Sequence, residues 1–266
     1  MMDLLKRAQA PVTSAAWEQI DEECKRTLTT NLTARRVMDV SGPHGLEYGA
    51  LNLGRLDVPS GQTDKTVRYG IRKVQPLIEL RATIELDQWE LDNADRGAED
   101  VDLDPLTKAA TQFARFEEQA IYTGLNGTGF TSLQKAAEHS AVKLGSDGAS
   151  FPEPISEALV TLRETGIEGP YALVLGPKHY RLLTSVGRMC PPIQHVEHLI
   201  EGPVLMSPVL EGGFLLSQRG GDFEIVLGQD AALGWESHGD GKVVLFLMES
   251  FTFRVLEPRA VVPLSG

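Results

Sequence analysis

The sequence predicts an α+β protein, with helices and antiparallel strands in separate runs along the chain. Three observations predict it. Apolar residues recur every three or four positions over 17–32 and 106–121, they alternate over 67–71 and 77–86, and after Gly202 short strand-like runs dominate. At 266 residues the chain is long enough to bury a full core in one large domain or two smaller ones. Its 42% hydrophobic and 23% charged residues are the balance of a folded globular protein, which excludes wholesale disorder.

The first helix opens on Thr13 and Ser14 as its cap, just after Pro11. Trp17, Ile20, Cys24, Leu28 and Leu32 form one narrow apolar stripe, and Glu18, Asp21, Glu22, Lys25 and Arg26 cover the opposite face. Such a helix lies across a surface. After Gly42-Pro43 the period changes to two, and residues 47–76 read as a long β-hairpin. Leu53, Arg55 and Asp57 on one side and Val67, Tyr69 and Ile71 on the other flank a polar tip at 59–65. An isolated two-stranded ribbon is marginal in water, so this one needs a surface to lie on.

Residues 76–91 read as a further extended stretch, with apolar residues alternating over 77–86. A second helix starts at Asp104, with Pro105 in its first position, and Gly124 stops it. Its face is Leu106, Ala110, Phe113, Phe116, Glu117, Ala120 and Ile121, and its length is about 20 residues, or about 30 Å. The Gly/Ser/Thr-rich stretch 124–150 then crosses into a second lobe. There a helix over 154–165 is broken by Gly169-Pro170, and an apolar strand at 171–175 is followed by a helix over 177–186 and an irregular loop at 187–192. Strands are expected at 203–208, 213–218, 223–227, 243–248, 251–256 and 260–264, with Gly220-Gly221-Asp222 as a hairpin turn.

The 25 Lys and Arg against 37 Asp and Glu, a net charge of −12, argue against nucleic acid as the main partner. The longest strongly apolar run, 243–248, is far shorter than the ~20 residues that cross a bilayer, so no membrane partner is expected. The N-terminus lacks a secretory pattern, and the two cysteines, Cys24 and Cys190, are expected to be reduced in a cytoplasmic protein.

Chemistry-bearing motifs are mostly missing. Gly127-Thr128-Gly129 lacks the third glycine of a dinucleotide fingerprint, and there is no Gly-x-Ser-x-Gly elbow and no His-Glu-x-x-His. The acidic stretch from Asp87 to Asp104 fails a calcium loop at Ala94 and Arg96, and reads as a solvated helix-and-turn surface. His195 and His198, with Cys190 and the more remote His179, match no closed zinc pattern. Trp17, Trp89 and Trp235 read as core or interface, and Arg35-Arg36 as basic residues complementing the end of the first helix. No catalytic residue, metal or cofactor is assigned. A chain of this size with no catalytic constellation and an unsupported hairpin reads as something that assembles.

Several longer motifs carry a resemblance. Pro76-Leu77-Ile78-Glu79-Leu80-Arg81, Trp89-Glu90-Leu91-Asp92-Asn93 with Arg96-Gly97, Glu168-Gly169-Pro170-Tyr171, Arg219-Gly220-Gly221-Asp222-Phe223, Leu227-Gly228-Gln229-Asp230 and Glu249-Ser250-Phe251-Thr252-Phe253 resemble the encapsulins. These are shell proteins of prokaryotic nanocompartments, also described as linocin-type bacteriocins, and the resemblance runs from Leu4 to about Leu264. It implies the fold of tailed-phage major capsid proteins. The extended loop would be 47–76 and the axial domain 130–218. The peripheral domain would comprise 1–46, 77–129 with the spine helix, and the returning strands of 219–266.

The resemblance further implies a closed icosahedral homo-oligomer, in its smallest form of roughly 60 subunits. It would enclose a cargo enzyme, a dye-decolourising peroxidase or a ferritin-like iron oxidase, docked by a C-terminal peptide. The positions matching the family's peptide groove are Leu28, Leu32, Arg35, Asp39 and Leu233, an apolar slot flanked by one cation and one anion. Arg188, Met189 and Cys190 match the loop at the five-fold pore. Two other readings compete: a cytosolic hydrolase using a carboxylate or a Cys/His site, and a prophage head protein.

Overall fold

The structure, a computed structural model, describes residues 4–63, 66–147, 150–185 and 192–266. The first helix, α1 (Ser14–Asn31), begins where expected, with the Thr13 hydroxyl oxygen accepting the Ala16 N–H at 3.3 Å. Its whole apolar stripe from Trp17 to Leu32 is buried, and the helix lies against the spine helix α4 (Asp104–Tyr122). Pro105 opens α4, and Gly124, at φ +92°, closes it by donating to the Gln119 carbonyl at 2.8 Å. One face residue departs from the expected stripe: Phe116 is 41% exposed, whereas Glu117 and Glu118 beside it are fully buried.

Between the two long helices run α2 (Ala34–Val37), β1 (Asp39–Ser41), β2 (Ala50–Asp57), β3 (Ile71–Pro76), β4 (Ile78–Asp87) and α3 (Gln88–Asp95). Strands β2 and β3 form an antiparallel ribbon that pairs with no third strand among the described residues. Its base is pinned by Gln75, whose Nε2 donates to Thr252 Oγ1 at 2.8 Å and to the Phe253 carbonyl at 2.7 Å. Val67 and Tyr69 lie beyond the paired strand, where the Gln62 amide bridges to both backbone groups of Tyr69.

After α4 come α5 (Leu133–Ala136), β5 (Val142–Lys143), α6 (Pro152–Glu164), β6 (Tyr171–Leu175), α7 (Pro177–Thr184), α8 (Pro192–Ile200), β7 (Val204–Met206), β8 (Gly213–Ser217), β9 (Phe223–Leu227), β10 (Ala232–Gly239), β11 (Lys242–Val255) and β12 (Val261–Ser265). They complete two five-stranded sheets. In the first, the 14-residue β11 pairs with β4 on one edge and with β10 and then β9 on the other, and β1 extends β9 in parallel. The second has the order β5-β12-β8-β6-β7, with α6, α7 and α8 packed against it.

Three expectations need correction. Gly220 and Gly221 do form a turn, at φ +83° and +79°, but it is not a hairpin: β8 belongs to the second sheet and β9 to the first. The Asp39 carboxylate accepts the Gly221 N–H at 2.6 Å, and the Asp222 carbonyl accepts from Leu256 and Glu257, which ties the turn to the first sheet. Second, the run 243–256, expected as two strands, is one, because Glu249 at its middle is buried within the sheet rather than in a turn. Third, 261–265 does not return to the first sheet with the rest of 219–266; β12 sits between β5 and β8 in the second. The edge strand β10 was not legible at all. Its second half, 236–239, is exposed and polar, and a bulge between Trp235 and Ser237 breaks its alternation.

Candidate functional site

The spacing of Cys24, Leu28 and Leu32, one helical turn apart, aligns them along one side of α1 and just past its end. Across from them stand Leu233 on β10 and Leu247 on β11, adjacent through the antiparallel register. Together they form the apolar floor of an open groove of about 600 Å³, walled by Arg35 of α2 and by residues 230–232. Lys25 and Arg36 stand exposed on its rim, and Arg7 pairs with Asp21 at one end. The Cys24 thiol is buried, and that burial, helped by Asp21 and Glu23, pushes its pKa up to about 12. It is inert as a nucleophile.

Arg35 does not complement the end of the first helix, because α1 ends at Asn31 and Arg35 lies in α2. Its Nε and Nη2 donate to the two carboxylate oxygens of Glu117 at 2.8 and 2.7 Å, Nη2 also donates to Glu249, and Nη1 donates to Asp230 at 2.7 Å. Burial removes water from both glutamates, and Glu249 lies against Glu117, so its pKa is driven well above the usual carboxylate range. Glu249 Oε1 finds no hydrogen-bond donor; a proton held on Glu249 turns the carboxyl–carboxylate contact into a hydrogen bond. With Glu249 neutral, the single positive charge of Arg35 faces two negative ones. The groove wall at this end is therefore not a free cation, as the sequence suggested, but a compensated cluster whose accessible member is the half-exposed Asp230.

The neighbouring glutamate turns the other way. Glu118 accepts the Ala34 N–H at 2.7 Å, the Thr33 hydroxyl, and at 2.7 Å the hydroxyl of Ser207, next to β7 in the second sheet. Burial raises its pKa to about 7 against the pull of those three donors. Adjacent residues of one helix thus join the groove wall to both sheets.

Leu28, Leu32, Arg35 and Leu233 share the groove, whereas Asp39 does not line it. Asp39 lines a smaller adjoining cavity of about 120 Å³ together with Arg36, Ser217 and Gly220, and its carboxylate is engaged by Gly221. Arg188, Met189 and Cys190 lie outside the described residues. No group of three or more His, Cys, Asp or Glu is placed to hold a metal among the described residues. His195 and His198 are exposed on α8, and His179 is buried with Nδ1 at 2.9 Å from the Glu211 carbonyl oxygen. Asp87 caps α3 by accepting the Trp89 N–H at 2.8 Å. Trp17 is buried and Trp235 half-buried, but Trp89 is 70% exposed. Asp230 and Leu247 were missed because nothing local marks them: each meets the groove through partners far away in sequence.

A family model described as an encapsulating protein for peroxidase matches residues 2–252. The type 1 encapsulin shell protein of Rhodospirillum rubrum is 41% identical over 272 residues, covering 100% of this chain and 97% of the relative. That of Mycobacterium tuberculosis is 36% identical, covering 99% of this chain and 100% of the relative. In fold, the chain is similar to a virus-like particle protein from Pyrococcus furiosus, with a TM-score of 0.63 at 16% identity over 92% of this chain and 98% of the other. The capsid of Myoviridae phage XM1 gives a TM-score of 0.58 at 13% identity, over 89% and 92%. The two sheets, the spine helix and the projecting ribbon are thus the architecture of a phage-capsid-like shell subunit, and the chain belongs to the type 1 encapsulin shell proteins.

Proposed function

We propose that the groove between α1 and the β10–β11 pair receives a short peptide from a cargo protein, and that copies of the chain close around that cargo. The observation that carries this reading is the apolar floor of Leu28, Leu32, Leu233 and Leu247, open to solvent beside polar walls. An extended peptide would bury alternate apolar side chains there and leave its polar ones at the rim. Many identical grooves facing one enclosed volume raise the effective concentration, so each site needs only modest affinity. The family model's description supports a peroxidase as cargo; a ferritin-like oxidase is the second candidate. The particle is proposed to hold roughly 60 copies, the smallest icosahedral arrangement. We assign 47–76 as the intersubunit arm, and 130–218, with 261–265 added by the sheet pairing, as the axial domain.

The test is Leu233→Asp, expressed with a peroxidase carrying its native C-terminal tail. Leu233 is 4% exposed at the groove, and the new carboxylate meets apolar side chains. Particles are expected to form as in wild type and to lose cargo at least tenfold. Equal cargo in both would remove the groove assignment.

A further inference from the structure

The ribbon carries a charge conflict that its own chain leaves unresolved. Arg55 stands directly opposite Lys73 in the β2–β3 register, and like charges at opposed positions weaken a strand pair. Neither residue, nor Arg68 or Arg72, forms an ion pair among the described residues. Residues 50–76 hold five Lys and Arg against two Asp, on a chain whose net charge is −12. The ribbon is a basic arm on an acidic body.

We propose that the ribbon face bearing Arg55 and Lys73 is an ion-pairing surface that seats on carboxylates of a second copy of this chain. This rests on the reading of 47–76 as the intersubunit arm. Charge complementarity between arm and body favours a second copy as the occupant, and so does the ribbon's other face. Strand alternation puts Leu56 and Val74 there, 59% and 54% exposed, on either side of Arg72, and it puts Ile71, 61% exposed, and Asp57 on the face of Arg55 and Lys73. A polynucleotide would satisfy the cations and leave those side chains in water, whereas a protein surface covers both. Salt alone does not test the idea, because it screens the attraction between arm and body and the repulsion between acidic bodies together.

The test is cross-linking in particles dissociated, mixed and reassembled from unlabelled and nitrogen-15-labelled chains. A water-soluble carbodiimide joins the Lys73 amine to an adjacent Asp or Glu as an amide with loss of water. Mixed-isotope cross-links at Lys73 are expected. Arg55→Glu with Lys73→Glu is expected to lower the yield of closed particles at least tenfold while leaving the far-ultraviolet circular dichroism unchanged. Wild-type assembly by that double variant, or no mixed-isotope cross-link at Lys73, would overturn the proposal. If deleting 57–67 still abolished particles, the arm reading would survive that failure. Nucleic acid released from wild-type particles but not from the double variant would also overturn it, by naming a different occupant.

Discussion

Two glutamates on consecutive positions of α4 are fully buried, and each finds a different solution. Glu117 is held by the guanidinium of Arg35, which also carries Glu249 and Asp230. Removing that cation leaves the Glu117 carboxylate in a dry interior with nothing to balance its charge. Arg35→Ala is therefore expected to cost about 3–5 kcal/mol, seen as a lower thermal midpoint or loss of soluble protein. Arg35→Lys is expected to recover only part, since a point charge cannot reproduce the forked contacts. Glu118 is instead held by three neutral donors, and burial lifts its pKa from 4.5 to about 7. Between those values the folded chain binds more protons than the unfolded one, so stability declines as pH rises through this window and levels off above it. The decline is expected to reach about 3 kcal/mol per subunit. Glu249 tilts stability the same way. Glu118→Gln is expected to flatten the slope in part, which thermal melts at pH 5, 6, 7 and 8 would show.

At the scale of elements, the ribbon and α1 are opposites. The stripe of α1 finds its surface inside the same chain, on α4, whereas the ribbon leaves Leu56, Tyr69, Ile71 and Val74 more than half exposed. An element with that much apolar area facing water is stable only when covered. Deleting 57–67 is expected to leave the two sheets folded, with near-native circular dichroism, and to abolish closed particles in negative-stain images. The stop of α4 is similarly localised: a Cβ on Gly124 would meet Ser132 Oγ at 2.9 Å, at a φ of +92°. Gly124→Ala is expected to cost about 1–2 kcal/mol, read as a lower midpoint without loss of the fold.

For the whole molecule, the two sheets are not two separable halves. The turn at Gly220-Gly221 leads from the second sheet into the first, β12 crosses back, and the Glu118–Ser207 bond fastens the spine helix to the second sheet. The acidic charge of −12 per copy opposes close packing, so any assembly has to bury enough area to overcome it. Size-exclusion chromatography with light scattering is expected to show a species of roughly 1.7 MDa, about 60 copies of 29.0 kDa. A sole species at the mass of one chain would contradict the shell reading.

Local pattern was enough for much of this. The five apolar residues that periodicity named over 17–32 are all buried, though α1 also buries Ala16 and Thr27. Pro105 and Gly124 marked both ends of α4, and the period of two over 47–76 marked a ribbon with no support of its own. The long motifs pointed to the family, and four of the five groove positions line one cavity. What only the tertiary structure decided was where charges and strands go once the chain closes on itself. Arg35 meets partners 82, 195 and 214 positions away; Asp39 reaches a turn 182 residues on; β12 chooses β8 over the nearer first sheet. Periodicity records which face of an element is buried, because that is a property of neighbouring residues. It does not record which distant group shares that dry interior, and a buried charge is defined by that partner.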